Sequence, residues 1–179
     1  LDTAIHDHVR RGKPLLGICG GYQMLGRTIV DADGVEGEPG VRAEGLGILD
    51  VHVDFAAEKT LGLPRGEALG APASGYEIHH GRVSRGSGEQ FLGGTRVGNV
   101  FATMWHGSLE GDELRGALLE ETLGRPRSGV SFARAREARF DRLGDLVDEH
   151  LDVDGLLALA RSGAPPVPAI PPGGATCDC

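Results

Sequence analysis

Apolar residues recur along the chain in short periodic stretches. Leu1, Ile5 and Val9 stand four apart, one face of a helix that Gly12 closes. Pro14 to Ile18 is a continuous apolar run, which predicts a strand buried on both faces as in a parallel sheet. Cys19-Gly20-Gly21 interrupts it, and the stretch from Tyr22 reads as a helix closing near Val30. Residues 31–47, rich in Gly and acids, read as a loop. From Ile48 to Phe55 polar and apolar positions alternate, with Leu49, Val51, Val53 and Phe55 on one side, the signature of a half-buried strand. Residues 56–74 read as irregular. Gly75 to Val83 alternates again, setting Tyr76, Ile78 and His80 against Glu77, His79 and Gly81. A weaker strand follows near 89–92, then an extended run from Val97 to His106. The helical period returns at Asp112–Leu123, where Leu114, Ala117 and Leu118 share a face and Gly124 marks the end. It returns at Ala133–Leu151 and in a short segment over 154–161.

Buried parallel-type strand, alternating strands and helices together predict an α/β domain. Three regions are expected: a principal domain over 1–124, a helical extension over 125–161 and a tail over 162–179. The tail holds five of the ten prolines and no periodicity, so it is expected to be disordered.

Composition narrows the function. A chain of 179 residues can bury a real core. The net charge is −8, and only Lys13 and Lys59 are lysines, which argues against non-specific nucleic-acid binding. No apolar run approaches membrane-spanning length, and no signal segment opens the chain. Three cysteines are too few for a disulfide scaffold, so a reducing cytoplasm is expected. The helical pattern already under way at Leu1 suggests a piece that begins inside a fold.

Gly17-Ile18-Cys19-Gly20-Gly21 carries the strongest chemistry. Its spacing is that of a nucleophile elbow, with Cys in the place of Ser. A sharp strand-to-helix turn strains the central residue and exposes its side chain, and flanking glycines let the chain pass close by. The helix N-terminus would favour a thiolate, and the Gly20 N–H would be an oxyanion donor. The alternative is a buried structural cysteine in a Gly-rich turn.

A cysteine nucleophile needs a base. His6, His8, His52 and His150 read as solvated or core-edge residues. His106 ends an apolar extended run and precedes a helix, as Cys19 ends another strand. Sites in open α/β sheets lie beyond the carboxyl ends of strands, so these two would face each other. His79 and His80 are adjacent on a strand and point to opposite faces, so one at most serves a given site. A zinc site built from Cys19, one of these and His106 is conceivable, but no local pair has ligand spacing, and no metal is expected. Cys177-Asp178-Cys179 reads as a loose terminus.

Three stretches together bring a family resemblance. Gly17 to Gly26 (GICGGYQMLG) resembles the nucleophile motif of class I glutamine amidotransferases, in the form found in the cobyric and cobyrinic acid synthase families. Gly75 to Arg82 (GYEIHHGR) and Thr103 to Glu110 (TMWHGSLE) are similar to a signature segment and to the active-site histidine region of the cobyric acid synthases. Glu44 to Leu49 fits as well. The resemblance covers roughly residues 1–160. It implies a flavodoxin-like class I amidotransferase fold, truncated at its N-terminus, with Cys19 as nucleophile and His106 as acid and base.

The resemblance further implies a glutaminase that feeds ammonia to an N-terminal ATP-dependent synthetase domain. Whole enzymes of that family amidate carboxylates b, d, e and g of adenosylcobyrinic acid a,c-diamide in cobalamin biosynthesis. ATP and Mg²⁺ would act in the synthetase domain; this chain would bind no cofactor. Its partners would be glutamine and, through the synthetase domain, the corrinoid.

Two departures stand out. Many class I amidotransferases carry Glu two residues after the histidine; here Ser108 stands there, leaving Glu110 and Glu77 as candidate orienting groups and a Cys–His dyad as the minimum. The family's earlier strand and its oxyanion-loop glycine would lie before Leu1, so the isolated chain is expected to have little glutaminase activity. Rival readings are a cobyrinic acid a,c-diamide synthase, another cysteine hydrolase on the same fold, and a non-catalytic partner subunit.

Overall fold

The structure is a computed structural model that describes residues 1–125, 129–163 and 166. It divides into a unit spanning Leu1–Phe132 and a second beginning at Ala133. The first unit runs α1 (Asp2–Arg10), β1 (Leu15–Ile18), α2 (Gly20–Leu25), β2 (Thr28–Asp31), β3 (Val41–Glu44), β4 (Val51–Gly62), β5 (Arg65–Ala68), β6 (Ala71–Ser74), β7 (Glu77–Arg85), β8 (Glu89–Phe91), β9 (Gly94–Val97), β10 (Val100–Thr103) and α3 (Asp112–Leu123), with a 3-10 turn at Ser108–Glu110. Two further helices follow, α4 (Phe132–His150) and α5 (Val153–Ser162). The mixture of sheets and helices is the α/β class the pattern predicted.

One sheet has the order β1-β10-β9-β8 and the other β3-β2-β4-β7, with β5 and β6 as a separate hairpin. β1 runs parallel to β10, from Leu15↔Val100 to Ile18↔Thr103. Side-chain alternation splits β10 between two cores. Val100, Ala102 and Met104 join Tyr22 and Leu25 of α2 and Val51 and Val53 of β4. Phe101 and Trp105 face Phe91, Leu114, Ala117 and Leu118. The short helix α2 thus shares one core with strands from both sheets.

Several expectations need correction. The helix begun at Tyr22 ends at Leu25, and Thr28-Ile29-Val30 form β2 instead. Gly26 is extended, at φ −70° and ψ −174°, and a Cβ there would meet the Val51 carbonyl at 2.8 Å; three consecutive β-branched residues then favour the strand. The loop assigned to 31–47 contains β3, a fully exposed edge strand whose alternation of Val41 and Ala43 with Arg42 and Glu44 spans only four residues. The irregular 56–74 segment is mostly strand, because β4 continues to Gly62 across a register shift and β5 and β6 follow. The run from Val97 to His106 is broken at Gly98, whose φ of +56° makes the turn between β9 and β10. β1 is parallel as expected but is an edge strand, only half-buried apart from Gly17.

The predicted helices are present, and α3 buries Leu114, Ala117 and Leu118 before ending at a left-handed Gly124. α4 and α5 bury no residue, so Phe140, Leu143, Val147 and Leu151 keep their helical spacing on an exposed face. Past Gly163, Pro166 apart, the tail assigned to 162–179, with Cys177 and Cys179, lies outside the described residues. Among the described residues no helix is long and apolar enough to cross a membrane.

Candidate active site

The parallel register of β1 and β10 brings two chain exits together. Ile18 is level with Thr103, and the next residue on β1 is Cys19. Its N–H donates to the Thr103 carbonyl at 2.9 Å, so the elbow is tied to the strand that leads to His106. Cys19 itself lies at φ 51° and ψ −112°, a left-handed setting that a non-glycine residue rarely adopts. This is the strained strand-to-helix turn expected from the motif. Its side chain is half-buried against the core that contains Tyr22, Ala102 and Met104.

The steric reason for the elbow glycines holds at one position and fails at two. A Cβ on Gly17 would stand 2.7 Å from Leu25 Cδ1 and 3.0 Å from the Gly21 backbone. At Gly20 and Gly21 it would meet nothing within 4 Å. Gly17 is therefore demanded by the packing of α2 on β1, whereas a side chain at Gly20 or Gly21 would meet no close neighbour.

His106 lies three residues past the end of β10, whose Val100 and Ala102 join the core that contains α2. Its placement is set from outside the sheet. His106 and Tyr76 exchange backbone hydrogen bonds of 2.9 and 3.0 Å, and their rings stack with centroids 5.0 Å apart at 13°. Gly75 permits the approach, because a Cβ there would lie 2.6 Å from the His106 carbonyl oxygen. His106 Nε2 is buried and has no hydrogen-bond partner among the described residues. Cys19 and His106 thus leave neighbouring strands at the same end without a hydrogen bond through Nε2.

Gly107 is left-handed, and its Cβ position would lie 3.6 Å from both Glu110 Oε1 and the Tyr76 ring. Ser108, where the family's Glu was missed, is buried. Glu77 sits on β7 with Oε1 3.9 Å from His79 Nε2. His79 faces inward, while His80 bonds the Ala56 carbonyl through Nδ1 at 2.9 Å. His8 contacts the Pro14 carbonyl and His52 the Thr28 hydroxyl, each at 2.8 Å. Among the described residues no group of three His, Cys, Asp or Glu is placed to hold a metal ion.

Gln23 is a functional neighbour that the sequence did not single out. It is buried, its N–H closes the first turn of α2 on the Cys19 carbonyl at 3.0 Å, and its side-chain amide occupies the place a Cβ on Gly81 would take. The GYEIHHGR segment therefore packs against the elbow helix through Gly81. Proximity of the two motifs in the family resemblance was the one available signal, and it carried no contact information.

Comparison with known proteins adds the following. Residues 1–114 match the family described as the CobB/CobQ-like glutamine amidotransferase domain. The chain is 66% identical over 175 residues to a protein of Mycobacterium ulcerans (strain Agy99) named cobyric acid synthase, covering 97% of this chain and 35% of that protein. Cobyric acid synthases of Mycobacterium marinum (strain ATCC BAA-535 / M) and Mycobacterium tuberculosis (strain ATCC 25618 / H37Rv) are 66% and 63% identical, with 35% and 36% of their length covered. The chain thus spans about a third of the length of these relatives.

Proposed function

Since the chain belongs to the CobB/CobQ-like glutamine amidotransferase domain family, we propose that it is the glutaminase part of a cobyric acid synthase. The observation that carries this reading is Cys19 at a strained elbow, hydrogen-bonded to the strand that delivers His106. The Cys19 thiolate attacks the side-chain amide carbon of glutamine, and the Gly20 N–H stabilises the oxyanion. His106 protonates the departing ammonia through Nε2. It then takes a proton from water, which hydrolyses the γ-glutamyl thioester and releases glutamate. Glu110, whose carboxylate lies beside Gly107, is the orienting group offered for the histidine loop.

Ammonia passes to a synthetase region, where ATP and Mg²⁺ activate carboxylates b, d, e and g of adenosylcobyrinic acid a,c-diamide for amidation in the cytoplasm. No residue described here is assigned to ATP, Mg²⁺ or the corrinoid. The reading is supported by the names and identity of the mycobacterial relatives.

The test is covalent capture. A diazoketone analogue of glutamine is expected to add one adduct at Cys19, located by peptide mass spectrometry and absent from Cys19→Ala. Labelling of Cys19 by an ester or peptide electrophile, but not by the glutamine analogue, would replace this reading with that of another cysteine hydrolase. An inert Cys19 would leave a non-catalytic scaffold.

A further inference from the structure

The inward face of β7 carries a buried acceptor that the reaction above does not use. Glu77, His79 and Gly81 alternate onto one face of the strand. Gly81 is in contact with the Gln23 side chain, one turn along α2 from Cys19, and Tyr76 at the other end is paired with His106. The face therefore runs from the elbow helix toward the histidine loop.

His79 is nine-tenths buried, at 10% side-chain exposure. Its Nδ1 bonds the Gly81 carbonyl at 2.9 Å. A carbonyl only accepts, so Nδ1 carries a proton, and in the neutral ring Nε2 then bears the lone pair. That Nε2 is buried with no hydrogen-bond partner among the described residues. Its charged neighbour is Glu77 Oε1, 3.9 Å away, too far for a hydrogen bond but a suitable span for one donor to bridge. Glu77 Oε2 lies on the other side, against the Gly62 Cβ position at 3.6 Å. An unpaired buried acceptor is unfavourable, and a lone pair beside a carboxylate is satisfied together by a group with several N–H bonds and a positive charge.

We infer that Glu77 and His79 are the acceptor pair for a primary ammonium group, the α-ammonium of the substrate glutamine. The assignment rests on the glutaminase reading. It gives Glu77 a substrate-facing task in place of orienting His106. It also selects glutamine over amides that lack an α-amino group, because those leave both acceptors unpaired.

The test follows the side-chain nitrogen resonances of histidine in the ¹⁵N-labelled 179-residue chain. L-Glutamine, glutaramate (the same carboxylate and amide without the amino group) and methylammonium are titrated separately. Glutamine is expected to shift His79 Nε2; glutaramate is expected to bind at least about tenfold more weakly and leave it in place. Glu77→Gln and His79→Gln, with unchanged backbone spectra, should weaken glutamine by a similar factor and glutaramate not at all. Glutamine binding with His79 Nε2 unmoved, or glutaramate moving it equally, overturns the inference while leaving the glutaminase reading intact. If glutamine does not bind but methylammonium still shifts Nε2, the assignment to the glutamine α-ammonium is overturned, and covalent capture at Cys19 then decides the glutaminase reading separately. If no probe shifts Nε2, the inference is overturned.

Discussion

Tyr76 and His106 hold each other twice, through a reciprocal pair of backbone hydrogen bonds and through rings stacked 5.0 Å apart. The tyrosine is about half exposed, so it adds little to the core and much to the orientation of the imidazole. In the whole synthase of which this chain is proposed to be the glutaminase part, Tyr76→Ala is expected to lower kcat for glutamine-dependent ammonia release by about 3- to 10-fold, the worth of one aromatic pair. Tyr76→Phe keeps the stack and should stay near the parent rate. Steady-state kinetics on both variants, with thermal melts as a control, decide the point.

Gly75→Ala should damage the same relationship from the backbone. The new methyl would stand 2.6 Å from the His106 carbonyl oxygen and 3.1 Å from Trp105 Cβ. Neither neighbour is a flexible side-chain end, so the strand pairing must open. A loss of about 1–3 kcal/mol in urea unfolding is expected, as for an overpacked site. Ammonia release should fall further than the stability loss alone accounts for.

Strain at the nucleophile has its own signature. At φ 51° and ψ −112°, Cys19 occupies a region open to glycine and costly for other residues. Cys19→Gly should therefore unfold at higher denaturant than Cys19→Ala, by about 1 kcal/mol, although both are inactive. Equal stability of the two variants would show that the elbow stores no backbone strain.

Acid should loosen the segment between β2 and β3. Burial would raise the Asp31 carboxyl, but the N–H groups of Val35, Glu36, Gly37 and Gly34 outweigh it and hold the group below its usual 3.8. Three of these contacts measure 2.7 to 3.0 Å. A group that gives up its proton more readily folded than unfolded stabilises the fold above its unfolded value. That stability is lost as pH falls through the depressed folded value. Urea midpoints taken from pH 6 downward should drop on the acid side, and Asp31→Asn should flatten that drop while lowering the neutral-pH midpoint.

Local pattern was enough for the elements whose side chains report one environment. The spacing of Ile5 and Val9, the alternation of Val51 to Phe55 and the face of Leu114, Ala117 and Leu118 each encode a side turned toward a core, and each element formed, although Leu1 lies outside α1 and is exposed. The elbow was legible for the same reason: Gly-Ile-Cys-Gly-Gly states a backbone requirement within five residues. β3 was missed because the alternation of Val41-Arg42-Ala43-Glu44 is only four residues long and fully exposed, so the strand is held by hydrogen bonds to β2 rather than by a buried side. Gln23 against Gly81 and Tyr76 against His106 were hidden, whereas the alternation of β7 already put Glu77 and His79 on one face. Residues from separate elements acquire partners only when β1 aligns with β10 and β7 meets α2 at Gly81. Composition names the groups that can do the chemistry, but the register between strands far apart in the chain sets which of them meet.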